Sequence, residues 1–331
     1  MFEFSIIIPF QVVTPYLLET LSRISELNER EFEVILLPDQ ALSEGEIGSY
    51  AYHLRIVPTG AVSPAVKRDM GAEKCKGKFV AFIDDDAFPD KDWLKNARRY
   101  LTKKKIVAAC GPQITPENDG FWQQVSGAVF LSPLNGKAVC RYWPCKKKFF
   151  VDDWPSVNLI LRKKEFLKVG GFDSYYWPGE DTKLCLDLLE QTGEKILYAP
   201  DVRVYHHRRP GFLKHMRQIG NYGLHRGFFA KSFPKTSFRI AYFVPSLFFI
   251  FVFLGWLCFF GPAFLRDAYL FLWLAYIILQ CVSIYFINKK ISNFKVALAS
   301  LPYLVCTHFW YGWRFIKGFV FVSDLKSKLG R

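Results

Sequence analysis

From Val202 to Arg239 the chain contains no Asp or Glu, against nine Lys and Arg. The next stretch, Ile240 to Leu265, contains no charge of either sign and exceeds the roughly 20 residues that cross a hydrocarbon core. The eight cysteines include no C-x-x-C pair, which argues against a zinc ribbon or a dithiol redox motif and favours free thiols. Cys140 and Cys145 flank RYWP with no histidine close by, too few donors for a zinc site. The N-terminus, MFEFSIIIPF, lacks the basic region and small-residue cleavage site of a signal peptide and reads instead as a first strand. Internal repeats and low-complexity tracts are also missing.

What is present divides the chain into three parts. Residues 1–207 form an α/β domain of near-balanced charge, residues 208–239 a basic juxtamembrane segment, and residues 240–331 a membrane region. In that region 240–265 and 268–288 read as a helical hairpin joined by GPAFLRD, while 296–320 either spans or lies in the interface. Basic residues beside apolar spans match anionic lipid on the cytoplasmic face, and the lysines of NKKISNFK return the chain to that side. The expectation is a multi-pass protein of the cell membrane with a cytoplasmic N-terminal domain. No nucleic-acid recognition motif accompanies the basic belt, so nucleic acid is not expected as a partner.

Within the first part SIIIPF, EVILLPD, LRIVPTG and KFVAFIDDD are short apolar runs that end in Pro, Gly or Asp. Between them TPYLLETLSRISELNER and SPAVKRDMGAEKCKG read as helices, the second with Ser63 as N-cap, Pro64 in its first turn and Gly77 as its end. This alternation predicts a mostly parallel, Rossmann-like central sheet with flanking helices, and such sheets bind ligands beyond the carboxyl ends of their strands. Asp84, Asp85 and Asp86 stand at one of those ends. Three adjacent carboxylates repel one another unless a cation offsets them. In an extended segment Asp84 and Asp86 share a side, which suits one hard cation such as Mg²⁺ or Mn²⁺; capping of the following turn is the structural alternative. An aspartyl-nucleophile phosphotransferase also places D-x-D after a strand, but Ala87-Phe88 follow here where Thr or Ser is usual. A second acidic pair, Glu180-Asp181 in WPGED, opens a helix on which Leu184, Cys185, Leu188 and Leu189 share a face. A metal to hold a leaving diphosphate and a separate carboxylate to take a hydroxyl proton are the two parts of a direct glycosyl transfer.

Taken together, FSIIIPF, SPAVKRDMGAEKCKGKFVAFIDDDAFPDKDWL and NLILRKKEFLKVGGFDSYYWPGEDTKLCLDLLEQTGEKILYAPDVRVYHHRR resemble, in order and spacing, a family-2 glycosyltransferase of the A-type nucleotide-diphospho-sugar fold. The resemblance covers about residues 3–235. It implies that Asp84 and Asp86 bind metal and diphosphate, that Asp85 lies on the nucleotide-sugar side, and that Asp181 is the general base of an inverting displacement. It further implies that Glu180 orients a sugar, that Pro9 and Asp39 meet the nucleotide base and ribose, and that Arg68 lies near the diphosphate. A histidine of the VYHH segment, with His207 as the choice over His206, is implied as a third metal ligand. The family's usual Arg-Asn is Arg68-Asp69 here, so Asp69 is expected to point away from the diphosphate. The Q-x-x-R-W motif of processive synthases is missing. The implied partners are a nucleotide-sugar donor, membrane lipids and a lipid-linked or glycan acceptor of cell-envelope polysaccharide or glycoconjugate synthesis. Transfer to polyprenyl phosphate, and a non-catalytic sugar-nucleotide or glycan-binding role, are the alternatives.

Overall fold

The computed structural model describes residues 2–43, 45–176 and 179–325. The strands are β1 (Phe4–Pro9), β2 (Phe32–Leu37), β3 (His53–Ile56), β4 (Phe79–Phe82), β5 (Ala87–Pro89), β6 (Ile106–Cys110), β7 (Gln113–Ile114), β8 (Phe149–Val151), β9 (Leu159–Arg162), β10 (Lys195–Tyr198) and β11 (Val204–His206). The helices are α1 (Pro15–Ser25), α2 (Pro64–Lys74), α3 (Trp93–Leu101), α4 (Phe121–Val129), α5 (Lys163–Lys168), α6 (Glu180–Thr192), α7 (Phe212–Ser232), α8 (Pro234–Ser237), α9 (Ile240–Leu254), α10 (Ala263–Ile291) and α11 (Phe294–Ile316). Two compact units result, one from residues 1–114 with 143–207 and the other from 115–142 with 208–325.

The first unit holds an eight-stranded sheet in the order β3-β2-β1-β4-β9-β6-β10-β8. It is parallel over β3-β2-β1-β4 and again at β6-β10, while β9 and the edge strand β8 run the other way. All six residues of β1 and all six of β2 are buried, as a doubly covered sheet requires, and the two polar ones pair with each other, Ser5 Oγ donating to Glu33 Oε1 at 2.7 Å. Because β1 lies between β2 and β4, the carboxyl ends that carry Pro9, Asp39 and Asp84 are neighbours. A second, three-stranded sheet, β5-β11-β7, pairs the segment after the acidic cluster with Val204–His206.

Helix α2 begins as its sequence requires, with Ser63 Oγ accepting from Val66 N–H and Pro64 next in line. It ends at Lys74 rather than Gly77. Gly77 instead allows a close backbone approach, since a Cβ there would come within 2.6 Å of the Phe4 carbonyl carbon. Further along α2, Gly71 lets the helix settle onto Ile7 and Leu37, which would stand 2.9 and 2.8 Å from an added Cβ. That contact presses the preceding turn, Lys67-Arg68, against the strand ends.

In the second unit α7 is one continuous helix despite its three glycines. Gly223 and Gly227 lie against the α11 backbone, where a Cβ would meet Tyr311 O at 2.7 Å and Phe315 O at 2.2 Å. His215 is fully buried between the Ser126 and Thr307 hydroxyls, at 2.8 and 3.0 Å, and so ties α7 to α4 and α11. Among the described residues two stretches are long and apolar enough to cross a membrane, Ile240–Phe260 and Ala263–Ile291, and few of their side chains are covered by protein. The second begins at Ala263 rather than 268, because Pro262 starts the helix directly and only Gly261-Pro262 separates the pair. An apolar cavity of about 460 Å³ in this unit is lined by Trp122, Phe212, Pro302 and Tyr303 among others.

Cys140 and Cys145 are disulfide-bonded, contrary to the expectation of free thiols. The bend at Trp143 brings two cysteines close in sequence together, a closure for which spacing alone gives no signal. The other six cysteines form no disulfide among the described residues.

Candidate active site

Strand β4 stops at Phe82, and Asp84 to Ala87 form a turn closed by Ala87 N–H donating to Asp84 O at 3.2 Å. Asp84 and Asp86 therefore converge through a turn and not through the pleat of an extended strand. Thr20 of α1 secures this turn from behind, donating its hydroxyl to Ala87 O at 2.8 Å. Asp85 is half-buried beside them.

The third member of the cluster is His206. Ligand atoms of Asp84, Asp86 and His206 all lie within 4.8 Å of one another, and His206 Nε2 is 3.0 Å from Asp86 Oδ1. His207, the expected ligand, turns the other way: its Nε2 meets Glu19 Oε2 at 3.0 Å and its ring stacks on Tyr16 at 4.3 Å. Strand alternation is the reason, since β11 pairs with β5 and successive side chains take opposite faces. His207 contributes its backbone instead, donating its N–H to Asp86 O at 3.0 Å. His206 Nδ1 lies 2.7 Å from Gln113 Oε1, a contact that orients the ring with Nε2 toward the aspartates. Two carboxylates and a so-oriented imidazole fit a divalent cation. Nothing in the sequence around Gln113 signals this role.

Arg68 joins this cluster to α6. One guanidinium nitrogen donates to Asp84 Oδ1 at 2.6 Å and the other to Glu180 Oε1 at 3.1 Å. Arg68 is 5% exposed; burial disfavours its charge, but Asp84 and Glu180 outweigh that and raise its proton affinity. Glu180 is likewise buried, and desolvation pushes its carboxyl up against the opposing pull of Arg68. Its second oxygen accepts from Gly179 N–H at 2.8 Å, so both Glu180 oxygens are engaged within the protein. Asp181, next along α6, is half-buried and its Oδ1 accepts from Thr182 N–H at 2.8 Å. Thr182 is held in turn by Asp153 at 2.8 Å. Trp177 and Pro178 of the WPGED motif lie outside the described residues.

Asp69 does point away, its Oδ1 accepting from Phe172 N–H at 2.9 Å. Gly171, at φ +74°, makes room for it: a Cβ there would come 2.5 Å from that oxygen. Burial raises the Asp69 carboxyl to about 7, although Phe172 N–H and Arg68 oppose the shift. Pro9 is buried as the last residue of β1, paired with Leu37. Asp39 is engaged by Lys67, a fully buried residue whose role was not anticipated from the sequence. Lys67 and Arg68 each stand one turn before a small residue, Gly71 and Ala72, and that spacing is the signal that both cations face the sheet.

An acid turn and a histidine stand at the carboxyl ends of a mostly parallel sheet, with a second acid pair at the start of α6, on a domain of the A-type glycosyltransferase fold. Residues 5–158 match the model of glycosyl transferase family 2. The pre-mycofactocin glycosyltransferase of Mycobacterium tuberculosis is 31% identical over 147 residues, 44% of this chain and 30% of that protein. The glucosyl-dolichyl phosphate glucuronosyltransferase of Haloferax volcanii is 27% identical over 154 residues, 42% of this chain and 46% of that protein. The chain thus spans less than half the length of these two curated relatives. A mannosyltransferase from Pyrobaculum calidifontis, solved in complex with GDP-Man and Mn²⁺, superposes with a TM-score of 0.54 over 91% of this chain and 86% of that one. At 15% identity this is a likeness of fold.

Proposed function

We propose that this protein is a metal-dependent, inverting glycosyltransferase that moves a sugar from a nucleotide diphosphate to a lipid-linked saccharide at the cytoplasmic membrane surface. The observation that carries the reading is the Asp84–Asp86–His206 cluster, joined by the Arg68 fork to the helix that bears Asp181. Mg²⁺ or Mn²⁺ held by the three side chains would offset the charge of the departing diphosphate. The Mn²⁺ of the structural neighbour supports a divalent ion of this kind. Arg68, Asp85 and Asp39 would align the donor. Asp181 would take the proton of the acceptor hydroxyl as its oxygen bonds to the anomeric carbon and the bond to the diphosphate breaks on the opposite face. Configuration at that carbon inverts in the single displacement.

The lipid-linked acceptor is supported by the activity of the Haloferax relative, by two apolar helices with exposed faces, and by the apolar cavity beside Phe212 and Tyr303. A general base is needed for a saccharide hydroxyl and not for polyprenyl phosphate, so the Asp181 position favours the former. Purified protein with nucleotide-sugar, Mn²⁺ and lipid-linked saccharide should form product. Asp181→Asn should lose about 10²-fold or more in turnover while still binding nucleotide. Undiminished turnover in this variant, or full activity in excess chelator, would refute the mechanism.

A further inference from the structure

Seven lysines gather at the β6-β10-β8 end of the eight-stranded sheet. Residues 103–105, all lysine, form the turn between α3 and β6, and residues 146–148, all lysine, lead into the edge strand β8. Lys195 opens β10, the strand between them, and donates its backbone N–H to Lys105 O at 2.9 Å. Lys103 and Lys148 meet over one ring, their ammoniums 5.7 and 5.1 Å from the centre of Tyr100. All seven residues are exposed, and none has an ion pair among the described residues. Glu194, next to Lys195, pairs instead with Arg162 at 2.9 Å, and Asp201 accepts from the Tyr100 hydroxyl at 2.8 Å. Beside the lysines stands Phe150 of β8, 55% exposed, with the Lys195 ammonium 4.5 Å from the centre of its ring.

Purely structural reasons account for only part of this patch. Lysines on an edge strand discourage pairing with other strands, which explains residues 146–148 but not 103–105, since β6 is an interior strand. General basicity fails as well, because residues 1–207 are of near-balanced charge. Lys105 moreover stands at φ +71°, a left-handed conformation in which glycine would be less strained.

We infer that this end of the sheet is a docking surface for an anionic bilayer, with the lysines against lipid phosphates and Phe150 entering the headgroup layer. It belongs to the first unit, whereas the basic segment 208–239 belongs to the second. Seven positive charges without a carboxylate partner complement a negative surface, and an exposed aromatic ring among lysines suits the interface between water and lipid. The inference requires that the two apolar helices cross a membrane, and is independent of the transferase chemistry. A protein so tethered meets the lipid surface at high effective concentration, so weak individual contacts suffice.

The test is chemical footprinting of the full-length protein in nanodiscs, with phosphatidylcholine alone compared with the same lipid containing about 30% phosphatidylglycerol. Lysines are acetylated with a water-soluble reagent and read one by one by mass spectrometry. Lys74, exposed beside the opposite edge strand β3, is the reference. Residues 103–105, 146–148 and Lys195 should react at least about threefold more slowly in the anionic discs, with Lys74 unchanged, and about 1 M salt should abolish the difference. In the triple variant Lys146→Glu/Lys147→Glu/Lys148→Glu, protection should be lost at the unaltered Lys103, Lys104, Lys105 and Lys195, and Phe150→Ser should weaken it. Thermal melts verify folding; if the triple variant does not fold, the salt comparison decides alone. Equal reaction in both discs would overturn the inference, as would equal slowing at Lys74 or protection that persists in salt. Protection by a short single-stranded RNA in detergent, with none from the anionic discs, would assign the surface to nucleic acid instead. Failure to enter discs of either lipid would remove the membrane premise and this inference with it, whereas loss of nucleotide-sugar turnover bears on the transferase reading only.

Discussion

Asp69 shows how a single carboxyl can tie the stability of this domain to pH. Its proton is retained in the fold up to about pH 7, whereas the unfolded chain releases it near 3.8. Stability from this group is complete below 3.8 and is lost as pH rises toward 7, by about 4 kcal/mol at most. Asp69→Asn keeps the acceptor for Phe172 N–H and cannot ionise, so the melting temperature of the variant should gain on the wild type between pH 5.5 and pH 8. A constant difference across that range would refute the assignment. At this scale the acid turn and the GED pair are legible in the sequence, because like charges packed together after an apolar run need a reason. The choice between His206 and His207 is not legible, since two adjacent histidines do not reveal the phase of the strand that carries them. Lys67 is hidden for another reason: a lysine inside a basic helix looks like a solvated charge until the small residues one turn on are given weight.

Among the elements, α7 and α11 depend on each other through the close approach at Gly223 and Gly227. Intrinsic propensity counts these glycines against helix formation. Tertiary contact outweighs that cost, because a residue without a side chain lets two backbones meet. Gly227→Val would force the helices apart at Phe315 O, and the melting temperature should fall by several degrees. Gly211→Ala is the control at a site where a Cβ meets nothing within 4 Å, and its cost comes only from φ +84°. A similar loss in both variants would count against the role of close contact. The strands β1, β2 and β4 are recognised from sequence because buried parallel strands are mostly apolar runs, and β3 is read beside them although its four residues are partly or fully exposed. The small sheet β5-β11-β7 is not recognised, since strands of two or three residues hold no periodicity to detect.

For the molecule as a whole, charge and hydropathy make separable claims on the membrane. The nine basic residues of 202–239 act through a field that about 1 M salt confines to about 3 Å, while apolar burial is not weakened by salt. The protein should remain with sedimented membranes through a high-salt wash and an alkaline carbonate wash, and should dissolve only in detergent. Release by salt alone would mean that the two apolar helices do not anchor it. The small sheet also sets an order of events during synthesis. The aspartates of the acid turn leave the ribosome early, but their partner His206 comes far later and close ahead of the first apolar helix. A nascent chain therefore cannot bring Asp84, Asp86 and His206 together until that helix is about to emerge. Completion of the cluster and emergence of the first apolar helix are thus brought close together in time by chain order alone.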